Sequence, residues 1–232
     1  MDNPVEKVDN SLNSHIFAHS AAVICLFAKE PVAGQVKTRL SPALTAEQAC
    51  RLYQTALKET VNRLLSAGQP LVICYAGRRQ WFSESFPELP LFAQRGDSLG
   101  TRMGNAVQEL FALFDGPVLL AGSDSPDLPI SLVDQVFQAL READVVTIPC
   151  RDGGYVAIGL RGPTRALFAG IPWSTPGVLQ ATRQACLRLG LSYQETEAWY
   201  DLDEIDDLRQ LATRSPGTAT ARHLLAELQD RL

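Results

Sequence analysis

The chain is predicted to fold as a three-layer α/β/α domain around a mainly parallel mixed sheet, and three observations lead there. Apolar runs of strand length alternate with amphipathic helical stretches along most of the chain. The first run, residues 23–28, is apolar at every position and reads as a buried strand. The 232 residues are 46% apolar and 20% charged, which is ordinary for a globular protein and enough to bury one full core.

The elements follow in order. Behind the first strand comes a loop over residues 29–40. A long helix then opens at a capping box, Thr45-Ala46-Glu47-Gln48, carries apolar positions at Leu52, Ala56, Leu57, Val61, Leu64 and Leu65, and closes at Gly68. Strands are expected at 71–76, 91–94, 117–122, 145–149 and 155–160, with a short strand near Tyr193. Helices are expected near 81–86 and over 99–114, 130–140, 204–212 and 220–228. Another helix is expected from Thr175 as N-cap, with Pro176 in its first turn, to Gly190. Residues 1–20 are polar and contain Asp2, Glu6 and Asp9, so they are expected to form a disordered tail ahead of a single domain over 21–232.

Composition narrows the function. Twenty-one cations against 26 anions leave a net charge of −5, without the basic face of a nucleic-acid binder. The longest apolar run, residues 21–28, is too short to cross a bilayer, and the N-terminus lacks the apolar segment of a secretory signal. Five cysteines without CxxC spacing read as reduced thiols, and the expected location is the cytoplasm. Only His15, His19 and His223 are histidines, which argues against a His-dependent triad or a His-rich zinc site. Chemistry is therefore expected from carboxylates, Lys/Arg, hydroxyls or a hard metal ion.

Several segments can carry it. The loop Lys29-Glu30-Pro31-Val32-Ala33-Gly34-Gln35-Val36-Lys37-Thr38-Arg39-Leu40 leaves the C-terminal end of the first strand, where α/β folds bind ligands. Gly34 lets amides point at an anion, and Lys37 and Arg39 bring charge to it, so the loop is a phosphate candidate rather than a solvated loop with incidental charges. It is not a Walker A loop, which needs a second glycine before the lysine. Asp124 follows the apolar run 118–121 at a strand end and suits Mg²⁺ or Mn²⁺, whereas Asp127 is expected to be a turn or helix-cap residue. In 201–208, Asp206 and Asp207 are expected to offset a helix dipole, while Asp203 is a second metal-ligand candidate. Asp152-Gly153-Gly154-Tyr155 has the chemistry of a tight turn, or else a bare backbone that a sugar can approach with Asp152 on a hydroxyl. Trp173-Ser174-Thr175-Pro176 is a helix start whose aromatic could stack on a ring.

In this order the segments resemble the nucleotide-diphospho-sugar transferase superfamily, the glycosyltransferase-A fold. Within it they resemble a bacterial glycosyltransferase-like family linked to arsenosugar biosynthesis. The resemblance rests on residues 27–40, 96–103, 122–128, 152–155, 171–176 and 201–208, and covers roughly residues 22–212. It implies a Rossmann-like sheet with a nucleotide at the ends of the first and fourth strands. Ala28, Lys29, Gly34, Lys37, Arg39 and Arg102 would face that nucleotide, and Asp124 and Asp203 would hold Mg²⁺ or Mn²⁺, with Asp201 an alternative to Asp203. Gly153, Gly154, Tyr155, Trp173 and Ser174 would face the acceptor. Asp152, Lys37 and Arg39 are the catalytic candidates. Two departures stand out: Gly122-Ser123-Asp124 keeps only the last carboxylate of the usual Asp-x-Asp, and Glu204-Ile205 replaces the usual Thr-Pro.

The expected function is a metal-dependent transferase on a nucleotide-activated substrate, with glycosyl transfer from a nucleotide sugar to a small-molecule acceptor as the leading reaction. Nucleotidyl transfer with release of pyrophosphate is the alternative, which a cationic loop plus a metal also suits. A non-catalytic nucleotide-binding protein is the alternative of another class, because the first Asp of Asp-x-Asp is missing.

Overall fold

The computed structural model describes residues 20–228. The tail expected over 1–20 lies outside the described residues except for Ser20, and so do His15, His19 and the last residues of the expected 21–232 domain.

Seven strands form one sheet: β1 (Val23–Lys29), β2 (Leu71–Ala76), β3 (Leu91–Ala93), β4 (Val118–Gly122), β5 (Val145–Pro149), β6 (Tyr155–Leu160) and β7 (Tyr193–Glu195). Their order is β3-β2-β1-β4-β6-β5-β7, and only β6 runs antiparallel to its neighbours. The helices are α1 (Ala46–Leu65), α2 (Arg79–Ser85), α3 (Leu99–Phe111), α4 (Ile130–Ala139), α5 (Val178–Leu189), α6 (Ile205–Arg214) and α7 (Ala219–Leu228). None of them is long and apolar enough to cross a membrane.

Strand periodicity sorts the core into two layers. Ile24, Leu26 and Ala28 of β1, with Leu119 and Ala121 of β4, pack under α1, α2 and α4 through Tyr53, Leu57, Phe82, Val133 and Val136. Val23 and Cys25, with Val118 and Leu120, face α3 and α5 through Val107, Leu110, Ala185 and Cys186. Helices thus cover both faces, which is why β1 is apolar without alternation. A smaller cluster ties α6 and α7 to the start of α1 through Leu52, Leu208, Leu211 and Leu224.

Each element expected from the sequence forms, with its ends moved by a turn or less. The box at Thr45 closes as predicted: its side chain accepts from Gln48 N, and the Gln48 side chain accepts from Thr45 N. Thr175 is a correction. Helix α5 is capped by Gly177, and Thr175 Oγ1 instead bonds Pro172 O and accepts from Gly177 N in the turn before it. Gly190 ends α5 in the left-handed region, as expected.

The crevice follows from the topology. From β1 the chain moves to β2 on one side through α1, and it later returns to β4 on the other side of β1 through α3. The C-terminal ends of β1 and β4 therefore part at the point where strand order reverses, which is where an open α/β sheet leaves room for a ligand.

Candidate functional site

A cleft of about 810 Å³ opens at that point. Its lining includes Ala28, Lys29, Lys37 and Arg39 behind β1, Arg102 on α3, Asp124 behind β4, Asp152, Gly154 and Tyr155 at the β5–β6 turn, Trp173 and Ser174 ahead of α5, and Asp201 and Asp203. Segments almost the whole chain apart thus meet in one place. Gly34 and Gly153 are not in the lining. Gly34 turns the loop in the left-handed region beside a Gln35 N to Val32 O bond, and Gly153 does so beneath the cleft, its carbonyl accepting from Leu179 N.

At one end the carboxylates gather. Beyond β7 the chain stays paired with β5, through Thr196 N to Thr147 O and Trp199 N to Pro149 O. It then crosses to the β4 loop, where Leu202 N donates to Asp124 O and Ser125 Oγ donates to Tyr200 O. That path sets Asp201 and Asp203 beside Asp124. Lys37 enters between them with its side chain only 7% exposed, its Nζ lying 2.8 Å from Asp124 Oδ1 and 3.4 Å from Asp203 Oδ1. It also donates to Leu202 O. Burial pulls the Lys37 pKa down, but the charges of Asp124 and Asp203 outweigh it and hold the ammonium above the ordinary lysine value. Arg39 Nη1 donates to Asp203 Oδ2 at 2.7 Å. Lys29 Nζ donates to Gln35 O and so braces the loop, while Arg102 Nε donates to Gly96 O.

Asp201 faces the other way. It accepts from Cys150 Sγ at 3.1 Å, and its pKa is pushed up to about 6, by burial first and then by the charges of Asp203, Asp152 and Asp124. Asp152 is exposed and accepts from Gly154 N through Oδ1, closing the tight turn.

The opposite end is aromatic. Trp173 stacks on Phe168 and meets Tyr155 edge-on, with ring centroids 6.4 Å apart in both pairs. Its indole lies against Gly100 so closely that a Cβ there would sit 2.4 Å from Nε1. Ser174 is held at φ 63°, in the left-handed region.

The donor set fits a hard divalent cation. Asp124 Oδ1 is buried without a hydrogen-bond partner of good geometry, although it lies within ion-pair distance of Lys37. Ligand atoms of Cys150, Asp152 and Asp201 lie within 4.8 Å of one another. The carboxylates Asp124, Asp152, Asp201 and Asp203 are oxygen donors of the kind Mg²⁺ or Mn²⁺ takes, whereas the buried Cys150 thiol, whose pKa burial pushes up, is not.

Asp127 is corrected in part. It does lie in a turn, closed by Leu128 N to Ser125 O, but its side chain caps no helix: it is a buried acid, bonded to Arg214 Nε and Ser215 Oγ at 2.8 Å and to Trp199 Nε1 at 3.3 Å. Asp207 does serve a helix start, accepting from Asp203 N and Glu204 N, while Asp206 pairs with Arg209. Tyr53, Gln94 and Cys150 are among the lining residues that were not anticipated. The Tyr53 hydroxyl bonds Lys29 N, Lys29 O and Ser123 Oγ, joining the β1 loop to the β4 loop, and burial followed by the charge of Asp124 pushes its pKa up to about 12. A polar-tipped ring on the core-facing stripe of α1 was the available signal.

Comparison with known proteins adds the following. A family model described as an uncharacterized protein conserved in bacteria (DUF2064) matches residues 60–175. A crystal structure from Desulfovibrio desulfuricans G20, provisionally assigned as a nucleotide-diphospho-sugar transferase, is 32% identical with a TM-score of 0.82, covering 91% of this chain and 98% of that one. A CMP:2-keto-3-deoxy-manno-octonic acid synthetase complexed with CTP is 13% identical with a TM-score of 0.53 over 85% of this chain and 99% of its own. Rv0371c from Mycobacterium tuberculosis H37Rv in complex with manganese is 15% identical with a TM-score of 0.53, over 83% and 97%. The last two likenesses concern the fold alone. No curated protein sequence matches.

Proposed function

The chain belongs to the bacterial DUF2064 family and shares the nucleotide-diphospho-sugar transferase fold, and from these premises we propose that it is a metal-dependent transferase acting on a nucleotide-activated substrate. The leading reaction is glycosyl transfer from a nucleotide sugar to a small-molecule acceptor.

The observation that carries this is the charge balance of the cleft. Four basic side chains, Lys29, Lys37, Arg39 and Arg102, stand against five carboxylates, Asp124, Asp152, Asp201, Asp203 and Glu204. Lys37 is committed to Asp124 and Asp203, and Arg39 partly to Asp203. A diphosphate brought to such a lining by itself would meet net repulsion, so the ligand that suits it is a nucleotide accompanied by a divalent cation. The shortage of uncommitted cations also favours a diphosphate leaving group over a more highly charged triphosphate.

When bound, the metal would neutralise charge on the departing nucleoside diphosphate; Asp124 and Asp203 would hold it. Arg39 and Arg102 face the phosphates, while Ala28 at the end of β1 leaves room for the rest of the nucleotide. Trp173, Tyr155 and Gly154 give the acceptor an apolar wall beside bare backbone. Asp152, whose Oδ1 accepts from Gly154 N, would take the acceptor's hydroxyl proton on its other oxygen.

A thermal-shift panel of nucleotides and nucleotide sugars, with and without Mn²⁺ or Mg²⁺, tests the reading. At saturation near a hundred times Kd, a ligand stabilises the folded chain by about 2.7 kcal/mol, which for a chain of this size raises Tm by about 5 °C or more. The expected result is a nucleotide shift that grows with metal, and loss of the metal-dependent part in Asp124→Ala. Product analysis then separates the reactions: nucleoside diphosphate marks glycosyl transfer, and pyrophosphate marks nucleotidyl transfer. Binding without turnover across the panel would make the chain a non-catalytic nucleotide binder, and no shift with any nucleotide would end all of these readings.

A further inference from the structure

We propose that Lys37 is a tethered counter-ion that occupies the divalent-cation position until metal and nucleotide arrive together, so that metal binding depends on nucleotide. This rests on the transferase reading above and concerns how the same cleft is loaded.

An ammonium has three N–H donors. Lys37 donates to Leu202 O and Asp203 Oδ1, its Nζ lies 2.8 Å from Asp124 Oδ1 as an ion pair, and its side chain is 7% exposed. The ammonium is thus engaged by the protein itself and not turned to a phosphate in this arrangement. The positive charge lies between the two carboxylates that would ligate the metal, where it repels a second cation and occupies the oxygens that cation needs. The placement is built in: Lys37 adopts φ 50° and ψ 38°, the left-handed region that side chains other than glycine rarely take, and it bridges to residues 165 positions away. Neighbouring Arg39 already covers the far oxygen of Asp203, so Lys37 is not required to neutralise Asp203 alone.

A nucleoside diphosphate can resolve this conflict. Its oxygens give the ammonium a new partner and also offer ligands to the metal, so every charge stays paired as the two cations exchange places. A metal ion alone must expel Lys37 from both of its acids with no phosphate to receive it. The two ligands therefore bind with positive coupling, each raising the affinity for the other by the same factor.

The test is Mn²⁺ titration of the full chain, read by the resonance of free Mn²⁺. Wild type, Lys37→Met and Lys37→Arg are compared with Mn²⁺ alone and with ADP, CDP, GDP and UDP added. Lys37→Met is expected to bind Mn²⁺ alone at least about tenfold more tightly than wild type, because a charge in contact with the ligands has gone. Lys37→Arg should stay weak, and wild type should bind tightly only with a nucleotide. If Lys37→Met gains nothing while wild type still takes up Mn²⁺ with nucleotide, the counter-ion role is overturned and the transferase reading stands. If no form binds Mn²⁺ under any condition, both fall. On the wild-type chain, acetylation by an amine-reactive ester reads the same exchange without a variant. Lys37 should be protected in the absence of ligand and become several-fold more reactive as Mn²⁺ alone saturates the acids. Protection that survives saturation overturns the proposal.

Discussion

The two ends of the cleft are built by opposite means. At the acidic end, Lys37, Asp124, Asp201 and Asp203 come from three widely separated stretches of the chain and are positioned by polar atoms: one main-chain bond from Leu202 to Asp124, one hydroxyl from Ser125, and the buried Asp127–Arg214 pair behind them. At the aromatic end, Gly100, Tyr155, Phe168 and Trp173 are fixed by shape, with ring against ring and an indole seated where a Cβ would otherwise be. Polar ties hold charges whose balance a ligand can change, whereas a packed wall admits or excludes by outline. The acidic end is thus suited to recognising what all nucleotide ligands share, and the aromatic end to telling acceptors apart.

The strongest way to break this contrast is through Asp127. Its side chain is 2% exposed and supports Arg214, which in turn lies 3.9 Å from the Tyr200 ring centroid, next to Asp201. Asp127→Ala leaves a guanidinium without its acid, at a cost of about 3 kcal/mol or more. A fall in Tm on the order of 6–12 °C is expected, together with loss of the metal-dependent nucleotide shift, since the 199–203 segment loses its anchor. A large fall with the metal response intact would mean that Asp127 stabilises the fold without holding the acids in place.

The aromatic end gives the converse test. In Gly100→Ala the new Cβ would meet Trp173 Nε1 at 2.4 Å and the Phe168 carbonyl at 2.5 Å, and a main-chain oxygen has little freedom to move away. Overpacking of this kind costs about 1–3 kcal/mol. Thermal unfolding should show that loss, while metal-dependent nucleotide stabilisation remains at the wild-type level. If the nucleotide response disappears as well, the two ends are mechanically coupled and the division of labour fails.

The same contrast explains what could be read from the sequence. Alternation of apolar runs and helical stripes depends on neighbours a few residues apart, so the strands, the Thr45 box and the Gly190 stop were all visible. The acids and cations of the cleft were visible as types. Their pairing was not, because Lys37 and Asp203 meet only after the whole sheet has formed, and a lysine beside a glycine-containing loop says phosphate as readily as carboxylate. Asp127 was legible as a turn residue but not as a buried acid, because its partners, Arg214 and Ser215, lie more than 80 positions downstream. Thr175 was misplaced for a local reason: its hydroxyl found Pro172 O, which holds the turn and delays the helix to Val178.

The smallest effect sharpens the acidic end alone. Asp201 keeps its proton up to about pH 6 in the folded chain, against an ordinary value of 3.8, because it is buried among Asp203, Asp152 and Asp124. Between those two pH values the folded chain binds more protons than the unfolded one, so stability falls as pH rises, and above about pH 6 the full penalty remains. Asp201→Asn removes the titrating group but keeps an oxygen that can accept from Cys150. In chelator-treated buffer the variant should match wild type near pH 4 and melt higher by about 1–3 °C near pH 7. The gap should open across pH 4–6, since that is where wild-type Asp201 loses its proton on unfolding. A gap that is constant with pH, or that closes as pH rises, would show that burial and the neighbouring carboxylates do not raise Asp201, and the acidic end would then be less charge-strained than its geometry implies.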